Sequence, residues 1–225
     1  MSTQHIEPRS VVSRIWEIYR DNARVLIATA LALFAVQFVA LLVLSGASVA
    51  VAILFWVLSV LYQGMVVELV EGVQSGRSDH SVGDLLRSVE PVLLQLLAVS
   101  VVFGLGVAIG FVLLIIPGLI LLVTWCVVAP VTVLERPGVF AAFRRSRELV
   151  RGNGWPVFGV IVLVGVTVFV VTLAAGLAAA ALGSLGGALL QWAVTAAIAP
   201  VSALSASVIY FALQGRLTSP ATPSY

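Results

Sequence analysis

The sequence predicts an all-α integral membrane protein: six transmembrane helices in three hairpins, each hairpin preceded by a cytoplasmic amphipathic helix. Three observations predict it. First, 61% of the 225 residues are hydrophobic and only 10% are charged, against about 45–50% apolar residues in ordinary soluble domains, and the mean hydropathy is +1.15. Second, residues 25–67, 91–134 and 152–215 contain no charged residue and no histidine, giving runs of 43, 44 and 64 residues. One span needs about 20 apolar residues, so each run is long enough for two helices. Third, turn-forming residues interrupt each run near its middle.

In the first run the break is Ser45-Gly46-Ala47-Ser48, which predicts spans over roughly 25–45 and 48–68. In the second it falls between Gly110 and Gly118, with Ile116-Pro117-Gly118 the favoured point, because proline removes a donor and clashes with the preceding turn. The spans there are roughly 91–113 and 117–134. In the third the break is Gly183-Ser184-Leu185-Gly186-Gly187, where glycine tolerates turn conformations, giving spans over 156–181 and 188–213. The expected single domain covers 1–216, with an interfacial segment at 1–24, loops at 69–90 and 135–155, and a flexible tail at 217–225. No signal peptide is expected before the first span, which is read as a retained anchor.

All twelve arginines and ten acids then fall on one side of the membrane, and the chain has no lysine. Five of the arginines crowd into the segment from Arg136 to Arg151. Arginine excess marks the cytoplasmic face, so both termini and both long loops are expected in the cytoplasm. Arginine as the sole basic residue, with abundant Ala, Val and Gly, suggests a GC-rich bacterial genome and hence a bacterial cytoplasmic membrane. The net charge of +2 is too small and too dispersed to suggest nucleic acid.

An R-x-x-E pattern recurs before each hairpin: Arg14-Ile-Trp-Glu17, Arg87-Ser-Val-Glu90 and Arg145-Ser-Arg-Glu148. The first and third agree further, Glu17-Ile-Tyr-Arg20-Asp-Asn22 matching Glu148-Leu-Val-Arg151-Gly-Asn153. This reads as a threefold internal repeat of a short amphipathic helix and a hairpin. Ser81-Val-Gly-Asp84 resembles a capping box, and Pro137 suits a first helical turn. Over 137–150, Val139, Phe140, Phe143 and Val150 are expected on one side, as an apolar stripe laid into the interface, with Arg144, Arg145 and Arg147 on the flank and opposite side. Gly152-Asn153-Gly154 breaks this helix, Trp155 suits the headgroup level, and Pro156 opens the next span.

The run Ile116-Pro117-Gly118, Trp125, Pro130, Val133-Leu-Glu135, Ala141-Ala-Phe-Arg144-Arg-Ser146 and Leu149-Val-Arg151-Gly-Asn153-Gly-Trp155 resembles a family. It is similar to the bacterial multi-pass proteins labelled the membrane domain of glycerophosphoryl diester phosphodiesterases, with the related YciC-type inner-membrane proteins. The resemblance covers most of the chain in layout and is specific across 116–156. It implies a structural motif and no catalytic residue, since in two-part members the chemistry belongs to an attached soluble barrel.

The residues themselves argue against an enzyme. His5 and His80 belong to no metal-ligand spacing, no nucleophile or phosphate-loop motif occurs, and the acids are scattered. No cofactor or metal is expected. Cys126 lies within the fourth span and reads as a packing residue. The expected function is non-enzymatic: an organising or lipid-interacting membrane protein whose Arg144, Arg145, Arg147, Arg151 and Trp155 contact anionic headgroups or a partner. The alternative is a small uncoupled permease, for which Gln37, Gln95 and Gln191 are the candidate intramembrane polar contacts and Pro130 and Pro200 the kinks. Gly106-x-x-x-Gly110 allows close helix approach, within the bundle or in a homodimer.

Overall fold

A computed structural model describes residues 8–43, 49–76 and 82–215, and of residues 8–10 and 37–43 the backbone alone. The described chain is helical, without strands. Helix α1 (Pro8–Asp21) passes through Asn22 into α2 (Ala23–Val43), and α3 covers Val49–Gln74. Helix α4 (Val82–Val89) continues through a 3-10 turn at Glu90–Val92 into α5 (Leu93–Leu113). Then follow α6 (Ile115–Thr124), α7 (Val128–Leu134), α8 (Val139–Val150), α9 (Gly154–Ala181) and α10 (Gly183–Leu213). A helix pairs its backbone polar groups internally, as apolar surroundings demand.

Five helical segments are long and apolar enough to cross a membrane: Val49–Gln74, Val82–Leu113, Ile115–Leu134, Gly154–Ala181 and Gly183–Leu213. Helix α2 is an apolar helix of 21 residues, whose described side chains end at Val36. Short helices α1, α4 and α8 each precede a pair of long ones in the chain.

Several predicted boundaries move, each for a local reason. The second turn lies at Leu114, which is extended (φ −165°, ψ 150°), while Pro117 sits in the first turn of α6, where its missing N–H costs nothing. The hairpin closes this tightly because α5 and α6 meet at glycine: a Cβ on Gly110 would lie 2.9 Å from the Gly118 Cα. Gly106 faces Trp125 in the same way. The Gly106/Gly110 stripe is therefore used inside the hairpin, between α5 and the helix that follows it. The third turn is a single residue, Leu182, so α10 starts five residues earlier than expected. The expected first turn at 45–48 and the capping serine Ser81 lie outside the described residues.

The fourth span is broken. Pro130 cannot donate to the Cys126 carbonyl, and its ring crowds that carbonyl. The chain loosens at 125–127, with Val128 N–H donating to Trp125 O (3.0 Å). Pro200, by contrast, sits inside α10 without interrupting it.

The buried core gathers at the end of the bundle that carries Glu71, Glu135 and Gln214. Leu69, Val70, Val89, Leu96, Val131, Ala142, Val150, Leu204, Val208 and Phe211 are each at most 2% exposed. Short helices α4 and α8 contribute Val89, Ala142 and Val150 to it, so they pack as part of the bundle. The far tips are open: Val112 is 86% exposed, Leu177 70% and Leu185 63%. Apolar surface costs about 25 cal/mol per Å² in water, so these tips suit hydrocarbon.

Candidate functional site

Helix α8 has two unlike faces, and the bundle decides which is which. Ala142, Phe143, Ser146 and Val150 are buried. The Phe143 ring meets Trp125 edge-on at 4.8 Å. Ser146 Oγ donates to the Thr124 carbonyl at 2.8 Å, a group that lost its helical donor when Val128 N–H turned to Trp125 O. The proline-induced break thus creates the acceptor that docks α8.

The opposite face carries Phe140, Arg144, Arg147 and Arg151, spaced i, i+4, i+7 and i+11 and so on one stripe. Phe140 is 82% exposed and Trp155, just beyond, 83%; the three arginines are exposed. This corrects the expected stripe. Phe140 does not join Phe143; it stands among the arginines. The remaining apolar residues press on the protein, not outward. The reason is size: Ala142 and Ser146, both fully buried, let α8 approach the bundle closely, and that fixes its rotation. The positive-φ Gly152 (φ 92°) then turns the chain so that α9 begins at Gly154, with Trp155 beside the basic stripe.

Arg145 is apart from the other three. Its Nε donates to Glu135 Oε2 at 2.9 Å, and its Nη1 lies 3.8 Å from Glu148 Oε2. Glu135 Oε1 accepts from Tyr210 Oη at 2.9 Å and from Gln214 Nε2 at 3.2 Å. The carboxylate therefore joins the end of α7, α8 and the end of α10, and it borders a cavity of about 340 Å³ shared with Glu71 and Phe211. Sequence reading missed this junction, since its members lie 10, 75 and 79 residues apart. In the N-terminal R-x-x-E segment Arg14 Nη1 contacts Glu17 Oε2 at 3.1 Å.

The three candidate glutamines are not gathered. The side chain of Gln37 lies outside the described residues. Gln95, on α5, has a buried Nε2 without a hydrogen-bond partner, and Gln191 is half-buried on α10. A different polar set lines a cleft of about 450 Å³ between α2, α3, α9 and α10, which neither Gln95 nor Gln191 borders. Its walls are held by Trp192 Nε1 donating to Phe34 O (3.0 Å) and Tyr62 Oη donating to Leu26 O (3.1 Å). Its polar lining includes Ser59, Gln63, Thr172, Thr195 and Ser202.

His5 and His80 lie outside the described residues. Among the described residues no three His, Cys, Asp or Glu side chains come together as metal ligands.

Fold and site define a helical protein of the membrane-spanning type with a basic-aromatic face at its charged end. The chain belongs to the family described as a domain of unknown function, DUF7847, whose model matches residues 80–219. That range takes in α4 to α10 and all of the α8 face. No curated protein and no solved structure matches the chain.

Proposed function

We propose that the protein is a six-span, non-enzymatic protein of a bacterial cytoplasmic membrane, with both termini in the cytoplasm, that engages anionic lipid headgroups through the exposed face of α8. The sixth span is α2, whose apolar helix lies in the uncharged run 25–67. The single observation that carries the reading is the interleaving of Phe140 with Arg144, Arg147 and Arg151 on one exposed face, bordered by Trp155. An exposed aromatic among arginines suits the interface, where rings sit at headgroup level and guanidinium groups reach phosphate. Attraction to an anionic leaflet is about 1 kcal/mol per arginine, so three free arginines supply enough to hold this face on the surface. The likeness to the phosphodiesterase membrane domain falls within the matched family range and adds no activity to this reading.

A small uncoupled permease is the second reading, and the cleft between α2, α3, α9 and α10 is the observation in its favour. The cleft is walled by serine, threonine and glutamine side chains with no charge, Ser59, Gln63 and Thr195 half-buried and Thr172 and Ser202 exposed, which argues against ion coupling.

The test is native mass spectrometry of the protein purified in detergent with phosphatidylglycerol. Wild type retains the anionic lipid, and Arg144, Arg147 and Arg151 changed together to Gln lose it. Equal retention by both forms would reduce these arginines to topology signals.

A further inference from the structure

The mid-bundle cleft carries chemistry that the α8 face does not use. Four helices contribute to it from near their middles, with Phe34 from α2, Phe55 and Ser59 from α3, Thr172 from α9, and Thr195 and Ser202 from α10. Its volume, about 450 Å³, lies within the range of about 300–1,000 Å³ typical of small-molecule sites. Residues 25–67 and 152–215 supply every wall and hold no charged residue. A charged group would be unpaired there, so an occupant is uncharged at this depth.

The hydroxyls do not serve as bridges between helices. Ser59 Oγ donates to Phe55 O (2.8 Å), Thr195 Oγ1 to Gln191 O (2.8 Å) and Ser202 Oγ to Ala199 O (3.0 Å). Each bond stays within its own helix, and the contacts that do cross, from Trp192 and Tyr62, use other atoms. With its hydrogen committed, each hydroxyl oxygen still has lone pairs turned to acceptor duty. The Gln63 amide adds two N–H donors and an acceptor. The lining thus offers more acceptors than donors. Beside Ser59 and Gln63, the rings of Phe34, Phe55 and Tyr62 form an apolar wall, the Phe55 and Tyr62 centroids lying 6.0 and 5.8 Å from that of Phe34.

We propose that this cleft binds an uncharged membrane lipid bearing a free hydroxyl: the O–H donates to the serine and threonine oxygens, and the hydrocarbon lies on the Phe34, Phe55 and Tyr62 wall. Two sources share that chemistry, an acylglycerol with one hydroxyl free and a long-chain alcohol. A fully esterified lipid has no donor and does not fit.

The experiment compares dioleoylglycerol, oleyl alcohol and trioleoylglycerol, each doped at equal mole fraction into micelles of the full chain and read by native mass spectrometry. The expected result is retention of dioleoylglycerol, oleyl alcohol or both, and no retention of trioleoylglycerol; which hydroxyl lipid is held identifies the source. Gln63→Leu with Thr195→Val lowers retention about tenfold, as the loss of one or two hydrogen bonds would. Thr195→Ser, which keeps the oxygen, retains the lipid and guards against misfolding as the cause. Trioleoylglycerol retained as well as the hydroxyl lipids, none of the three retained, or the double variant binding like wild type while equally stable, would overturn the proposal. The α8 arginine variant keeps the hydroxyl lipid, so failure here and failure of the headgroup reading are separate results.

Discussion

Arg145 Nε lies 2.9 Å from Glu135 Oε2, and that contact divides four neighbouring arginines into one that holds the bundle and three that face outward. The pair is partly exposed, at 41% and 26% of the two side chains, so its ionic contribution is on the order of 1 kcal/mol. Its larger consequence is orientation, because the same carboxylate also receives Tyr210 and Gln214.

Lipid binding should therefore separate the four arginines. Arg144→Gln is expected to lower phosphatidylglycerol affinity about fivefold, the equivalent of about 1 kcal/mol. Arg145→Gln leaves that affinity unchanged and lowers the unfolding temperature instead. Titrating lipid against each purified variant checks both outcomes.

Ionic strength gives a second readout. Exposed charges more than about 8 Å apart are screened at physiological salt, so raising the salt weakens phosphatidylglycerol binding to wild type. The Arg144, Arg147 and Arg151 triple Gln variant shows little salt dependence. A flotation assay with liposomes over a salt series measures it.

Ser146→Ala removes the donor to the Thr124 carbonyl. Ser146 is fully buried, and an unpaired buried acceptor costs about 1–3 kcal/mol. Thermal unfolding in detergent should register this as a clear loss, comparable to deleting a buried contact and larger than the effect of Arg147→Gln on the exposed face.

Glycine substitutions should divide by location. A Cβ on Gly110 would sit 2.9 Å from the Gly118 Cα, and Gly110→Ala is expected to cost about 1–3 kcal/mol through backbone displacement. Gly165 has open space around its α-carbon. Gly165→Ala is neutral or slightly stabilising, since alanine is the better helix former by about 1 kcal/mol.

The long helices were legible because uncharged runs and turn residues are local signals. The Gly183–Gly187 cluster places the third turn near Leu182 although its own residues are helical, and Gly152 marks the end of α8. The rotation of α8 was not legible. Val139 and Phe140 are adjacent and both apolar, so periodicity alone assigns either to the inward stripe; the small Ala142 and Ser146 decide it only once the facing helix is known. The break at 125–127 lies four residues before its cause, Pro130, and the receptor for Ser146 exists only because of that break. The Glu135 junction joins residues up to 79 apart, beyond any sequence spacing. The cleft escaped for another reason: serine and threonine inside a span look alike whether they bond to their own helix, to a neighbour or to a ligand.

The measurement that tests the central claim most directly is the depth of the α8 face. With Cys126→Ala as background, a nitroxide placed at Phe140→Cys in phosphatidylglycerol-containing bilayers reports its distance from the membrane surface. The account predicts headgroup depth, with accessibility to a water-soluble nickel chelate below that of a fully aqueous site and accessibility to oxygen below that of a hydrocarbon-buried one. A label at Phe140 that is fully open to the chelate, with no response to anionic lipid, would contradict it.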